Sequence, residues 1–141
     1  MQVLIDADAC PVVQIAVQLC SKYHICCYLL CDTAHRIERD GATTLTFDKG
    51  SDSVDFALAN RVHTGDLVIT QDYGLASMCL AKGAGIQHQD GWEYTQDNID
   101  ALLLVRHESR KHRAAGGRTK GTGKRTAAQN IAFESAFRSL I

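Results

Sequence analysis

No stretch of the 141-residue chain approaches the roughly 18 consecutive apolar residues of a membrane span, and Met1 is followed within five residues by an acid. Neither an anchor nor a secretory leader is expected, no membrane partner is expected either, and the cytoplasm is the expected compartment. No Cys-x-x-Cys pair occurs among Cys10, Cys20, Cys26, Cys27, Cys31 and Cys79. Four of these fall in apolar stretches, which points to reduced structural thiols and away from a disulfide framework or structural zinc. There is no internal repeat and no low-complexity tract. A phosphate-binding loop is missing as well, because Gly123-Lys124 is followed by Arg125 and Arg118 stands where the motif needs its first glycine. A cysteine phosphatase is excluded on the same grounds: Ala16 and Ile37 occupy the positions where Cys10 and Cys31 would require an arginine.

What is present suits one globular domain over residues 1–141, with 45% hydrophobic and 22% charged residues. The net charge of -1 conceals a division. Residues 1–105 carry 6 Lys+Arg against 14 Asp+Glu, and residues 106–141 carry 9 against 2. Such asymmetry predicts a basic arm that meets a polyanion or folds back on its own acidic body.

Short apolar runs alternate with helical periods along the chain. Val3–Ile5 reads as a strand, Val12–Tyr23 as a helix that opens near Pro11, and Ile25–Cys31 as a second strand. Thr43–Phe47 follows as a third strand, and Gly50-Ser51-Asp52 supplies a turn and an N-cap for a helix through Val62. Leu67–Thr70 is a fourth strand, Tyr73–Lys82 a helix ending at Gly83, and Gly85–His88 a short fifth strand. The alternation predicts an α/β fold of three layers, with a central, mainly parallel sheet of four to five strands covered on both faces. Thr95 can cap a helix that runs into a basic, Gly-rich segment at 106–125, and Thr126 with Gln129 forms a capping-box pattern for a last helix over 126–141.

Ligands of open α/β sheets bind outside the carboxyl ends of the strands, and those ends are acidic here. The first strand closes on Asp6 and Asp8, which as alternate residues should point the same way, and the fourth closes on Thr70 and Asp72. Asp52 and Asp55 lie three apart at the start of the helix after the third strand. Carboxylates gathered within about 4–6 Å repel one another unless a cation neutralises them, and an all-oxygen set suits Mg²⁺ or Mn²⁺. Asp6, Asp8, Asp55 and Asp72 are therefore candidate metal ligands, set against the plainer reading of strand-end aspartates as helix caps and turn residues. Arg110, Lys111, Arg113, Arg118, Lys120, Lys124 and Arg125 are candidates for contact with the phosphates of RNA, or for simple solvation.

The segments DADACPV at 6–12, SDSVDFALA at 51–59, DLVITQDYGLA at 66–76 and RTKGTGKRT at 118–126 resemble the YaiI/YqxD family of bacterial proteins over nearly the whole chain. That family looks like a branch of the PIN-like nucleases. The resemblance implies that Asp6 with Asp8, Asp55 with Asp52 in reserve, and Asp72 hold Mg²⁺ or Mn²⁺ for RNA hydrolysis, with Thr70 orienting a ligand or water. The further acid that such nucleases place just after the fourth-strand motif is absent, and Asp90 is its only replacement. The leading expectation is thus a metal-dependent ribonuclease whose carboxylates are both catalytic and metal-binding. Two alternatives are a non-enzymatic RNA-binding protein and a small phosphatase with Asp6 as nucleophile and Asp8 as acid.

Overall fold

The alternating apolar runs fold into a doubly wound α/β structure, described here from a computed structural model. It describes residues 1–49, 53–114, 116 and 123–141, and the side chains of all of these except Arg106, Ser109, Arg110, Arg113 and Ala114. The elements in order are β1 (Gln2–Asp6), α1 (Val13–Lys22), β2 (Cys26–Asp32), β3 (Thr43–Phe47), α2 (Ser53–Arg61), β4 (Leu67–Ile69), α3 (Tyr73–Ala81), β5 (Gly85–Gln87), β6 (Glu93–Tyr94), α4 (Gln96–Ala114) and α5 (Ala127–Leu140). The strands form one sheet in the order β3-β2-β1-β4-β5-β6, parallel from β3 to β5, with β6 antiparallel to β5. The sixth strand exceeds the four to five expected. Two residues are too few to show a period, and only pairing with β5 reveals them as a strand.

The central strands are apolar on both faces because helices cover both. Val3, Ile5, Leu29 and Ile69 pack with α1 and with Phe133 and Phe137 of α5. Leu4, Leu30, Val68 and Ile86 pack with Leu58 of α2, Leu75 and Cys79 of α3 and Ile99 of α4. All six cysteines are free thiols, and four of them, Cys20, Cys27, Cys31 and Cys79, are buried as small hydrophobes. Among the described residues, no helix is long and apolar enough to cross a membrane.

Helix ends carry the predicted chemistry. Thr126 accepts from Gln129 N–H while the Gln129 side chain accepts from Thr126 N–H, a complete capping box. Thr95 and Asn98 exchange the equivalent bonds ahead of α4. The expected cap at Asp52 lies outside the described residues.

Strand order reverses between β1 and β4. From β1 the chain winds through β2 to β3 on one side, then crosses to β4 and continues through β5 on the other. The carboxyl ends of β1 and β4 therefore border the crevice where doubly wound sheets bind ligands.

Candidate metal centre

Asp6 closes β1 with its carboxylate in that crevice. Thr70, just past β4 and buried, donates from Oγ1 to Asp6 Oδ2 at 2.9 Å and accepts from the Asp72 N–H at 3.0 Å. One hydroxyl thus fixes the strand-one aspartate against the loop that carries the strand-four aspartate. Asp72 is the N-cap of α3, where its Oδ1 accepts from Gly74 N–H at 2.8 Å and Leu75 N–H at 3.1 Å. The capping reading of Asp72 is therefore true, and it orients the same carboxylate whose charge acts on Asp6.

The electrostatics show which acids converge. The Asp6 carboxyl is raised from 3.8 to about 7, first by burial, against the lowering hydrogen bond from Thr70, and then by the charges of Asp55, Asp72 and Asp8. Asp55 lies in the first turn of α2, the helix that packs on β1, β2 and β3. Three aspartates outside β1 thus bear on one half-buried carboxyl. Asp6 resists ionisation chiefly through burial, with the neighbouring acids adding to it, and oxygen-only donors of this kind suit a hard divalent cation.

Asp8 behaves differently from the expected strand pattern. β1 ends at Asp6, the chain turns with Ala9 in the left-handed region at φ 55°, and Cys10 N–H bonds back to the Ala7 carbonyl at 3.2 Å. The turn brings Asp8 to the end of β2, where its Oδ1 is 3.7 Å from His35 Nδ1. His35 Nδ1 is 2.9 Å from Asp32 Oδ1, and Asp8, Asp32 and His35 each offer a ligand atom within 4.8 Å of the others. Asp32 and His35 were not anticipated from the sequence. The strand-end rule that found Asp6 and Asp72 reaches Asp32 once β2 is extended one residue beyond its apolar run. Asp32 also accepts from the N–H groups of Ala34 and His35, so it shapes its own turn.

The basic segment divides. Its first half continues α4 to Ala114, where Lys111 is exposed, while the side chains of Arg110 and Arg113 lie outside the described residues, as do Arg118 and Lys120 entirely. Lys124 is exposed. Arg125 instead folds back on the acidic body. Its Nη1 donates to Asp90 Oδ1 at 2.6 Å, its Nη2 to the Gln89 carbonyl at 2.7 Å and its Nε to Asn130 Oδ1 at 2.7 Å. It sits near the aspartate loop, since its charge reaches the Cys10 thiol. That thiol is pushed up to about 11, chiefly by burial, which removes Cys10 as a thiolate nucleophile. Asp90 itself is anchored in the β5–β6 turn, where its N–H donates to His88 Nδ1 at 3.0 Å. His88 stacks on Trp92 at 4.4 Å, and burial holds its pKa below the ordinary imidazole value.

The family described as "Uncharacterized BCR, YaiI/YqxD family" matches residues 4–141. A UPF0178 protein of Exiguobacterium sibiricum is 48% identical over 141 residues, covering 100% of this chain and 96% of its own. One from Ruminiclostridium cellulolyticum is 48% identical over 136 residues, covering 96% of this chain and 89% of its own. A third, from Clostridium acetobutylicum, is 46% identical over 143 residues, covering 100% and 97%. No solved structure matches the chain.

Proposed function

The chain belongs to the YaiI/YqxD family, and from its aspartate centre we propose that it is a Mg²⁺- or Mn²⁺-dependent ribonuclease of the PIN-like type. The observation that carries this reading is that the charges of Asp55, Asp72 and Asp8 act on the half-buried Asp6 at the point where strand order reverses. The oxygen chemistry of these donors supports such an ion, and Asp8 also belongs to the described group whose ligand atoms all lie within 4.8 Å of one another, with Asp32 and His35. The set around Asp6 is made of carboxylates, and Asp6 is held partly protonated at neutral pH first by burial and then by the charges of Asp55, Asp72 and Asp8, which a cation would screen. Asp6, Asp55 and Asp72, with Asp8 at the rim, would hold the ion. When bound, it would lower the pKa of a water and offset charge on the phosphoryl oxygens.

The chain's own groups do the rest. Thr70 holds Asp6 in one rotamer, and the α3 cap holds Asp72, so the two carboxylates are positioned before any ligand arrives. Exposed Lys111 and Lys124 supply positive charge for an RNA backbone, while Arg125 serves the architecture through Asp90. The test is cleavage of a single-stranded RNA with Mn²⁺ or Mg²⁺ against EDTA, using wild type and Asp6→Asn. Cleavage that depends on the metal and vanishes in the variant supports the proposal. Cleavage that survives Asp6→Asn refutes it.

A further inference from the structure

We propose that Tyr94 Oη, together with the carboxylates of Asp72 and Asp90, holds an ordered water at the edge of the aspartate centre and positions it for attack on phosphorus. The inference rests on the phosphodiesterase reading and assigns a residue that it leaves out. Tyr94 is 2% exposed, and its hydroxyl is buried with no hydrogen-bond partner among the described residues. Buried tyrosine hydroxyls are nearly always hydrogen-bonded, so an orphan one calls for a missing oxygen or nitrogen beside it.

The ring cannot swing away to find a partner. Trp92 packs edge-to-face on it at 4.6 Å and 61°, Tyr73 at 5.9 Å and 64°, and His88 at 6.1 Å and 64°, while the backbone is paired in register with Ile86. Two of these ring neighbours bring the acids to this side of Tyr94: Tyr73 directly follows Asp72 in the chain, and His88 Nδ1 accepts from the Asp90 N–H at 3.0 Å. A phenol keeps its proton at neutral pH, so the group is a proton donor. Asp90 is fixed by Arg125 through Oδ1 and by its own N–H on His88, and a carboxylate retains further lone pairs. Its side chain is 32% exposed, which gives water a way in past the sealed tyrosine. A water there accepts from Tyr94 and donates to the two carboxylates, about the three bonds a buried water usually makes.

The experiment uses the full chain and Tyr94→Phe, which keeps the ring. The thermal midpoint is expected to change little, because the ring and its packing are kept. For Mn²⁺-dependent RNA cleavage, kcat is expected to fall at least tenfold with KM within twofold. A variant with wild-type kcat overturns the proposal and leaves the nuclease reading standing, whereas wild-type protein without Asp6-dependent cleavage overturns the nuclease reading and the positioning role with it. A crystal structure of the full chain decides the water itself, independently of turnover. Expected is a water oxygen within hydrogen-bond distance of Tyr94 Oη and of Asp72 or Asp90. An Oη that is bare, or bonded to a protein group, overturns the proposal.

Discussion

Asp6→Asn should stabilise the protein at pH 8 and leave it nearly unchanged at pH 4. An acid whose pKa is raised on folding keeps its proton in the native state over a window where the unfolded chain has lost it. Unfolding is then favoured progressively as pH rises through that window. For Asp6 the window runs from 3.8 to about 7, and at 1.36 kcal/mol per unit the full loss is about 4 kcal/mol, with about 3 kcal/mol falling between pH 5 and pH 8. Asparagine carries no charge to desolvate and keeps an oxygen for Thr70 Oγ1 to donate to, so it escapes the loss. Urea unfolding of both proteins with EDTA at pH 5 and pH 8 isolates Asp6 with the acids coupled to it, because titrating groups remote from this centre cancel in the difference. The variant is expected to gain about 3 kcal/mol on wild type between the two pH values. Adding Mn²⁺ at pH 8 at a hundred times its Kd should restore about 2.7 kcal/mol to wild type and much less to the variant. Parallel pH slopes for the two proteins, or equal rescue by Mn²⁺, would refute the convergence argument.

Other substitutions separate roles that the structure superimposes on single residues. Asp72→Asn retains a good N-cap, so stability should stay within about 0.5 kcal/mol of wild type while Mn²⁺ binding weakens, whereas Asp72→Ala should lose about 1 kcal/mol as well; calorimetric titration beside a urea melt distinguishes them. Arg125→Ala removes three charge-assisted bonds at a largely buried guanidinium and should cost about 2–3 kcal/mol in a melt. Lys124→Ala should leave stability within about 0.5 kcal/mol and, if the lysine meets a phosphate, flatten the salt dependence of RNA affinity by about 0.7 in the log–log slope. Gly91→Ala should destabilise by at least about 2 kcal/mol. Gly91 sits at φ 101°, and an added Cβ would lie 2.8 Å from the Ala132 carbonyl oxygen in α5. Its melt midpoint is the check.

Which parts of this architecture are legible in the sequence follows from the range of the forces that set them. Parallel strands buried on two faces must be apolar without interruption, so β1 and β4 show as runs that stop abruptly at Asp6 and Thr70. Winding rules then place both ends at one crevice. Asp32 escaped because β2 continues one residue past its last apolar position, where the ladder with Phe47 of β3 extends the strand and hydropathy does not. The basic tail presents the reverse case. Its charge is plain from composition, but whether an arginine meets RNA or the protein itself depends on a contact 35 residues away in sequence, between Arg125 and Asp90. That contact exists because α5 packs its Ala132–Phe133 backbone against Gly91, the one residue in the turn with no side chain to keep it off. Packing therefore turns a residue that reads as an RNA contact into a strut that holds the turn between β5 and β6 through Gln89 and Asp90.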